Sequence, residues 1–101
     1  MKKDDIFSIV RYLDIKNMST DEIYNLIKCF KNKTFEFQQL KDSGQIFEQP
    51  TPKNEFIEGK DVYSIINNLD LTIFSFRELI NLMDLFKIKS KQMEEELSKR
   101  S

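Results

Sequence analysis

The sequence of 101 residues contains no histidine, which removes the most frequent general base and the commonest zinc ligand. A single cysteine, Cys29, excludes an internal disulfide and a zinc site built from several thiolates. With only two glycines, the chain also lacks a glycine-rich phosphate-binding loop. We therefore expect no catalytic residue, no bound metal and no cofactor, and we predict that the protein is not an enzyme.

Long hydrophobic runs are missing as well, and no run approaches the roughly 20 apolar residues that cross a membrane. The segment 1–5 is charged and has no apolar stretch of the kind found in secretory signals. Together with a lone cysteine, these features predict a cytoplasmic protein without membrane contact. Abundant Lys, Asn and Ile with little Gly is typical of AT-rich genomes, such as those of low-GC bacteria, their phages or mobile elements.

The strongest pattern that is present is an internal repeat with a period of 56 residues. Residues 5–31 align without a gap to residues 61–87. The identical positions, numbered in the first copy, are Asp5, Ser8, Ile9, Leu13, Asp14, Ser19, Asn25, Leu26, Phe30 and Lys31. Most other positions keep their apolar or polar character, which predicts the same local structure for both copies.

Each copy contains a capping box, a serine followed three residues later by a glutamate. The two boxes are Ser19 with Glu22 and Ser75 with Glu78. Apolar residues at helical spacing follow each serine, and a shorter stripe with the same spacing precedes it. Each copy is therefore predicted to contain a short helix, a tight turn and a long helix.

The predicted fold is all-α: an internally duplicated helical hairpin that forms a four-helix bundle. We expect one domain, in which repeat one covers 5–43, an extended Pro-containing connector covers 44–60, and repeat two covers 61–98. The turns, 14–18 and 70–74, are too short for a calcium-binding loop of about twelve residues and should place the helices of each pair antiparallel. The predicted core consists of Ile6, Ile9, Val10, Leu13, Ile23, Leu26, Ile27, Phe30, Val62, Ile65, Ile66, Leu69, Leu79, Leu82, Met83 and Phe86.

The connector contains every glycine and proline of the chain, and Gly44 is expected to end the first long helix. It also contains Ile46, Phe47, Phe56 and Ile57, which a purely flexible linker would not need. Three alternatives stay open for it. The connector is a strap packed across the bundle, a two-stranded ribbon, or an arm that docks on a partner.

Lysines form a basic band on each long helix: Lys31 and Lys33 match Lys87 and Lys89 in the repeat, and Lys28 and Lys91 lie nearby. Two such bands are suited to contacting phosphates. The net charge of -1 and the lack of a helix rich in base-reading side chains argue against this function. A nucleic-acid-binding regulator is therefore the alternative function.

Nine aromatic residues fall outside the core stripes: Phe7, Tyr12, Tyr24, Phe35, Phe47, Phe56, Tyr63, Phe74 and Phe76. A bundle of this size is not expected to bury them all, and aromatic residues are enriched in protein interfaces. The favoured function is a small protein-binding regulator or adaptor that contacts a larger protein. The predicted contact residues are Phe35, Phe37, Phe47 and Phe56, and a homodimer through the distal half of 19–43 is expected.

Overall fold

The computed structural model describes residues 3–44, 59 and 61–100, and these residues form helices and turns without a strand. The α-helices are α1 (Lys3–Arg11), α2 (Thr20–Asp42), α3 (Val62–Asn67) and α4 (Phe76–Arg100). Short 3₁₀ turns lie before each long helix, at Ile15–Asn17 and Leu71–Ile73. The prediction of an all-α structure with two short and two long helices is confirmed.

Serine caps begin both long helices, but only the second capping box is complete. The Ser75 hydroxyl accepts a hydrogen bond from the Glu78 N–H at 3.2 Å, and the Glu78 carboxylate accepts one from the Ser75 N–H at 2.9 Å. The Ser19 hydroxyl accepts from the Glu22 N–H at 3.1 Å, and among the described residues no return bond joins the Ser19 N–H to Glu22. Ser75 is buried and Ser19 is exposed, so solvent reaches the Ser19 N–H and a return bond is not required there.

Four residues at helix ends and turns have distinct roles. Asp61 caps α3 by accepting from the Ser64 N–H at 2.8 Å. Gly44 has φ +71° and follows the end of α2, as predicted, in the left-handed conformation that glycine adopts without strain. Asp70 accepts from a backbone N–H in its turn, whereas the Asp14 carboxylate accepts from the side-chain amide of Asn17.

Each connection between a short and a long helix is longer than predicted. α1 ends at Arg11, so residues 12–19 separate it from α2, and residues 68–75 separate α3 from α4. Ile15 and Leu71, at the starts of the two 3₁₀ turns, are buried in the core. Because these two side chains pack in the core, each connection is held against the helices. Neither connection is the tight turn on which the hairpin prediction depended.

The principal packing of each short helix is against the long helix of the other half of the chain. α1 packs on α4, α3 packs on α2, and the two long helices pack on each other. This arrangement corrects the predicted hairpins, in which α1 would lie against α2. The longer connections account for the difference, because they let each short helix turn away from the helix that follows it.

The core contains twelve of the sixteen predicted residues. The other four, Ile9, Leu13, Val62 and Met83, are half-buried at its edge. The buried side chains that the predicted core left out are Ile15, Cys29, Phe37, Leu71, Ile73, Phe74 and Met93. At the centre, the rings of Phe30 and Phe86 stack with their centroids 4.4 Å apart and an angle of 11° between their planes.

Candidate interaction surface

The outer face of α2 carries two exposed aromatic rings with two exposed lysines between them. Tyr24 is 58% exposed and Phe35 is 64% exposed, and Lys28 and Lys31 are also exposed. The spacing i, i+4, i+7, i+11 places the four residues on one side of the helix, over about 16 Å. We call these four residues the α2 stripe.

The lysines of the α2 stripe are not neutralised within the described part of the chain. Neither Lys28 nor Lys31 forms an ion pair there, whereas Lys33 on the opposite side of the helix pairs with Glu36 at 3.2 Å. Exposed aromatic rings beside unpaired ammonium groups suit a surface that offers carboxylates around an apolar recess.

The four predicted contact residues have different positions. Phe35 lies in the α2 stripe. Phe37 is only 7% exposed, and its ring stacks on Phe76 with centroids 6.3 Å apart. Phe37 is two positions beyond Phe35 on the same helix, so its side chain points to the opposite side. The expectation that Phe37 lies on the contact surface is therefore wrong. Phe47 and Phe56 lie outside the described residues, as do the alternatives for the connector.

The matched lysine bands are not equivalent. Lys28, Lys31, Lys87 and Lys91 are exposed, and Lys89 is partly exposed and donates to the side chain of Gln92 at 3.2 Å. Lys33 is only 6% exposed, and its Nζ donates to the Leu69 carbonyl at 2.9 Å. Lys33 therefore cannot contact a phosphate from this position, and the prediction that it belongs to a nucleic-acid-binding band is corrected.

Cys29 lies one turn before Lys33, on the side of α2 that faces α3. Its thiol is buried and donates to the Asn67 side-chain oxygen at 3.8 Å. Burial raises the pKa of Cys29, while the Lys33 ammonium and a hydrogen bond with Tyr63 act in the lowering direction. The thiol is consequently protonated at neutral pH and contributes to packing, as expected for a small residue beside the core.

The sequence overestimated the aromatic surplus. Phe74 is buried, and Phe7 packs edge-on against it with ring centroids 6.2 Å apart. Besides the α2 stripe, Tyr12 at 76%, Tyr63 at 45% and Phe76 at 38% remain exposed. The exposed rings thus lie on α2, near the ends of the two short helices and at the start of α4.

A groove of about 490 Å³ lies between the first connection, the beginning of α2 and the beginning of α3. Three carboxylates line it, from Asp14, Glu22 and Asp61, and among the described residues no lysine or arginine lines it. The apolar lining residues are Leu13, Met18, Leu26 and Val62. We call this site the acidic groove.

The sequence analysis did not predict the acidic groove, because its lining residues come from two segments that are far apart in the sequence. The packing of α3 on α2 is what brings residues 61–63 next to residues 13–26. The half-formed first capping box is the local feature that leaves the Glu22 carboxylate available to the groove.

Other sites are not evident in the described ranges. No group of three metal-ligating side chains converges there, and none of the helices seen is both long enough and apolar enough to cross a membrane. Comparison with protein-family models, with curated protein sequences and with solved structures finds no match to this chain. Function is therefore inferred from the α2 stripe and the acidic groove themselves.

Proposed function

We propose that this protein is a small, non-enzymatic, cytoplasmic adaptor or regulator that binds a larger protein through the α2 stripe. The observation that carries the proposal is the exposure of Tyr24 and Phe35 on one side of α2. Aromatic residues dominate the energetics of many protein interfaces, because they bury much apolar area with few rotatable bonds. Lys28 and Lys31 lie between the rings and would orient an acidic partner.

The chemistry of the α2 stripe defines the partner surface that fits it. That surface has apolar recesses for two rings about 16 Å apart on one side of a helix. It has Asp or Glu side chains between the recesses, placed to meet the two lysines. A partner without carboxylates would leave both ammonium groups desolvated and unpaired, at a cost in affinity.

We also infer that the chain is an internal duplication, with its halves related by a pseudo-two-fold axis between the central rings. Support comes from the long helices, which start 56 residues apart, at Thr20 and Phe76. Stacking of the matched residues Phe30 and Phe86 is expected where such an axis passes. The reciprocal packing of short on long helices has the same symmetry.

The α2 stripe has no equivalent in the second half of the chain. Its matched positions are Ile80, Asp84, Lys87 and Lys91, which lack aromatic rings and include a carboxylate. This divergence supports a contact function for the first copy, with the second copy retained for the shared core.

The test is affinity capture from a lysate of the organism that encodes the chain, followed by mass spectrometry. A protein captured by the wild type should be lost with the Tyr24→Ala/Phe35→Ala variant. Tyr12→Ala is the matched control, because that ring is the most exposed of the large apolar side chains described and lies outside α2. A set of captured proteins that does not change with the stripe variant would refute the proposal.

The alternative function, nucleic-acid binding, is favoured by the exposed lysines on both long helices. It is disfavoured by the burial of Lys33 and by the net charge of -1. A fluorescence-anisotropy titration with labelled single-stranded and duplex DNA at ~150 mM salt separates the two functions. Tight binding that Lys28→Ala/Lys31→Ala abolishes would replace the adaptor by a nucleic-acid-binding regulator.

A further inference from the structure

We propose that the α2 stripe of one copy binds in the acidic groove of a second copy, so that the chain associates head to tail. The proposal rests on the proposed function, because it uses the same face of α2. It adds a second occupant for that face. Self-association would then compete with the larger partner for the α2 stripe.

Charge is the first argument for this pairing. The α2 stripe contributes two ammonium groups without an ion-pair partner in the described part of the chain. The acidic groove contributes the carboxylates of Asp14, Glu22 and Asp61, and none of its lining residues within the described part of the chain is a cation. Complementary potentials of this kind both attract two surfaces and fix their orientation.

Apolar surface is the second argument. Phe35 exposes about two-thirds of its side chain, and the acidic groove offers the partly buried side chains of Leu13, Met18 and Val62. Insertion of the ring among them removes apolar area from water on both sides. The groove therefore has the two features that the α2 stripe requires, an apolar recess and surrounding carboxylates.

Symmetric pairings of either surface with itself are disfavoured. Two α2 stripes face to face would bring the lysines of one copy against those of the other. Two acidic grooves face to face would bring carboxylates together. Like charges across an interface are strongly unfavourable, so the stripe of one copy is expected to select the groove of another.

The pairing also has to be intermolecular. Leu26, in the acidic groove, and Tyr24, in the α2 stripe, are two residues apart on one helix and therefore point in nearly opposite directions. A stripe cannot fold back onto the groove of its own copy. In an open assembly one end copy keeps a free stripe and the other end copy keeps a free groove, unless the assembly closes into a ring.

The experiment is sedimentation velocity over a concentration series up to ~100 µM, where micromolar and weaker self-association becomes visible. The wild type should show a mass-average that rises with concentration to at least twice the 12.1 kDa of the single chain. Lys28→Glu/Lys31→Glu and, in the groove, Glu22→Lys/Asn25→Lys should each remain monomeric. An equimolar mixture of these two variants should associate again, because it restores a complementary stripe and groove.

The matched control is Lys87→Glu/Lys91→Glu, which reverses the same number of exposed lysines on α4. It should associate like the wild type. Circular dichroism checks that each variant is helical, and Asn25→Lys alone replaces the groove variant if that one fails to fold. This single change places a positive charge in the groove without altering a cap.

Two results would overturn the proposal. One is a wild type that stays monomeric at the highest concentration, and the other is a groove variant that associates like the wild type. Neither result touches the proposed function, which is read separately from the capture that depends on Tyr24 and Phe35. Conversely, self-association through the groove, without any protein captured through the stripe, would support this inference and refute the proposal of a larger partner.

Discussion

The buried ammonium of Lys33 provides the sharpest test of the packing between α2 and α3. Its Nζ donates to the Leu69 carbonyl at 2.9 Å, just beyond the end of α3, and also contacts the carboxylate of Glu36. Replacement by methionine, Lys33→Met, keeps an unbranched stem of similar length and removes the donor. The Leu69 carbonyl, whose bond to Lys33 is buried, then loses its charge-assisted partner.

The loss in the free energy of unfolding expected for Lys33→Met can be bounded from these contacts. Hydrogen bonds to charged groups contribute about 1.5–3 kcal/mol to stability. The Glu36 carboxylate is 47% exposed, so its ion pair adds at most about 1 kcal/mol. The desolvation of a buried ammonium opposes both terms. We expect a net loss of about 2 kcal/mol in the free energy of unfolding.

Lys89→Met is the matched control, because Lys89 holds the equivalent position 56 residues later and bonds only to the exposed side chain of Gln92. Its loss should stay within about 0.5 kcal/mol, as for other surface changes. Urea unfolding followed by circular dichroism at neutral pH measures the free energy of unfolding of both variants. The slope of that free energy against urea concentration should be the same as in the wild type. Equal losses in the two variants, or no loss in Lys33→Met, would refute the reasoning.

The serine caps should differ in strength. Ser19→Ala should cost about 1 kcal/mol, as usual for an N-cap, and Ser75→Ala should cost more, because that serine is buried and holds a reciprocal bond. Urea unfolding that ranks Ser19→Ala above Ser75→Ala would contradict this. Burial raises the pKa of Cys29 above its ordinary value of 9.0. The folded state therefore holds its thiol proton more tightly, and stability should fall as pH rises above about 9. The difference between the wild type and Cys29→Ala isolates this effect, and parallel stability curves from about pH 8 to 10 would exclude it.

Local signals explain why so much of the helical structure was predictable. Ser19, Ser75 and Asp61 each accept from the backbone N–H three residues later, and Gly44 acts on its own conformation. Each of these effects is complete within one turn of helix, so the sequence pattern and the structure agree. The same holds for the stripes of Ile and Leu that form most of the core.

The pairing of helices depended on information that local patterns do not contain. Ile15 has polar residues on both sides in its turn, and Leu71 precedes Ile73 and Phe74 in the second turn, so neither residue belongs to a helical stripe. Their burial lengthens the connections and directs each short helix to the opposite half. The burial of Lys33 follows from that exchange, because its acceptor, the Leu69 carbonyl, lies in the other half of the chain.

The two candidate surfaces also differ in how far they could be predicted from the sequence. The α2 stripe depends on the period of a single helix, so Phe35 could be identified from the sequence, although Phe37 was wrongly grouped with it. The acidic groove combines residues 13–26 with residues 61–63, which are distant in sequence, and only the packing of α3 on α2 assembles it. No local pattern indicates it, because Glu22 was assigned to a capping box.

The reciprocal packing of short and long helices has a consequence for how the chain acquires its structure during synthesis. The apolar side chains of Ile6 and Val10, on α1, are fully buried, and the main partner of α1 is α4, which follows it by way of α2 and α3. Contacts between residues so far apart in sequence slow folding, because the intervening chain must first be closed. During synthesis α1 therefore keeps its apolar face in solvent until α4 has emerged from the ribosome, and the nascent protein is most vulnerable to aggregation and proteolysis during that interval.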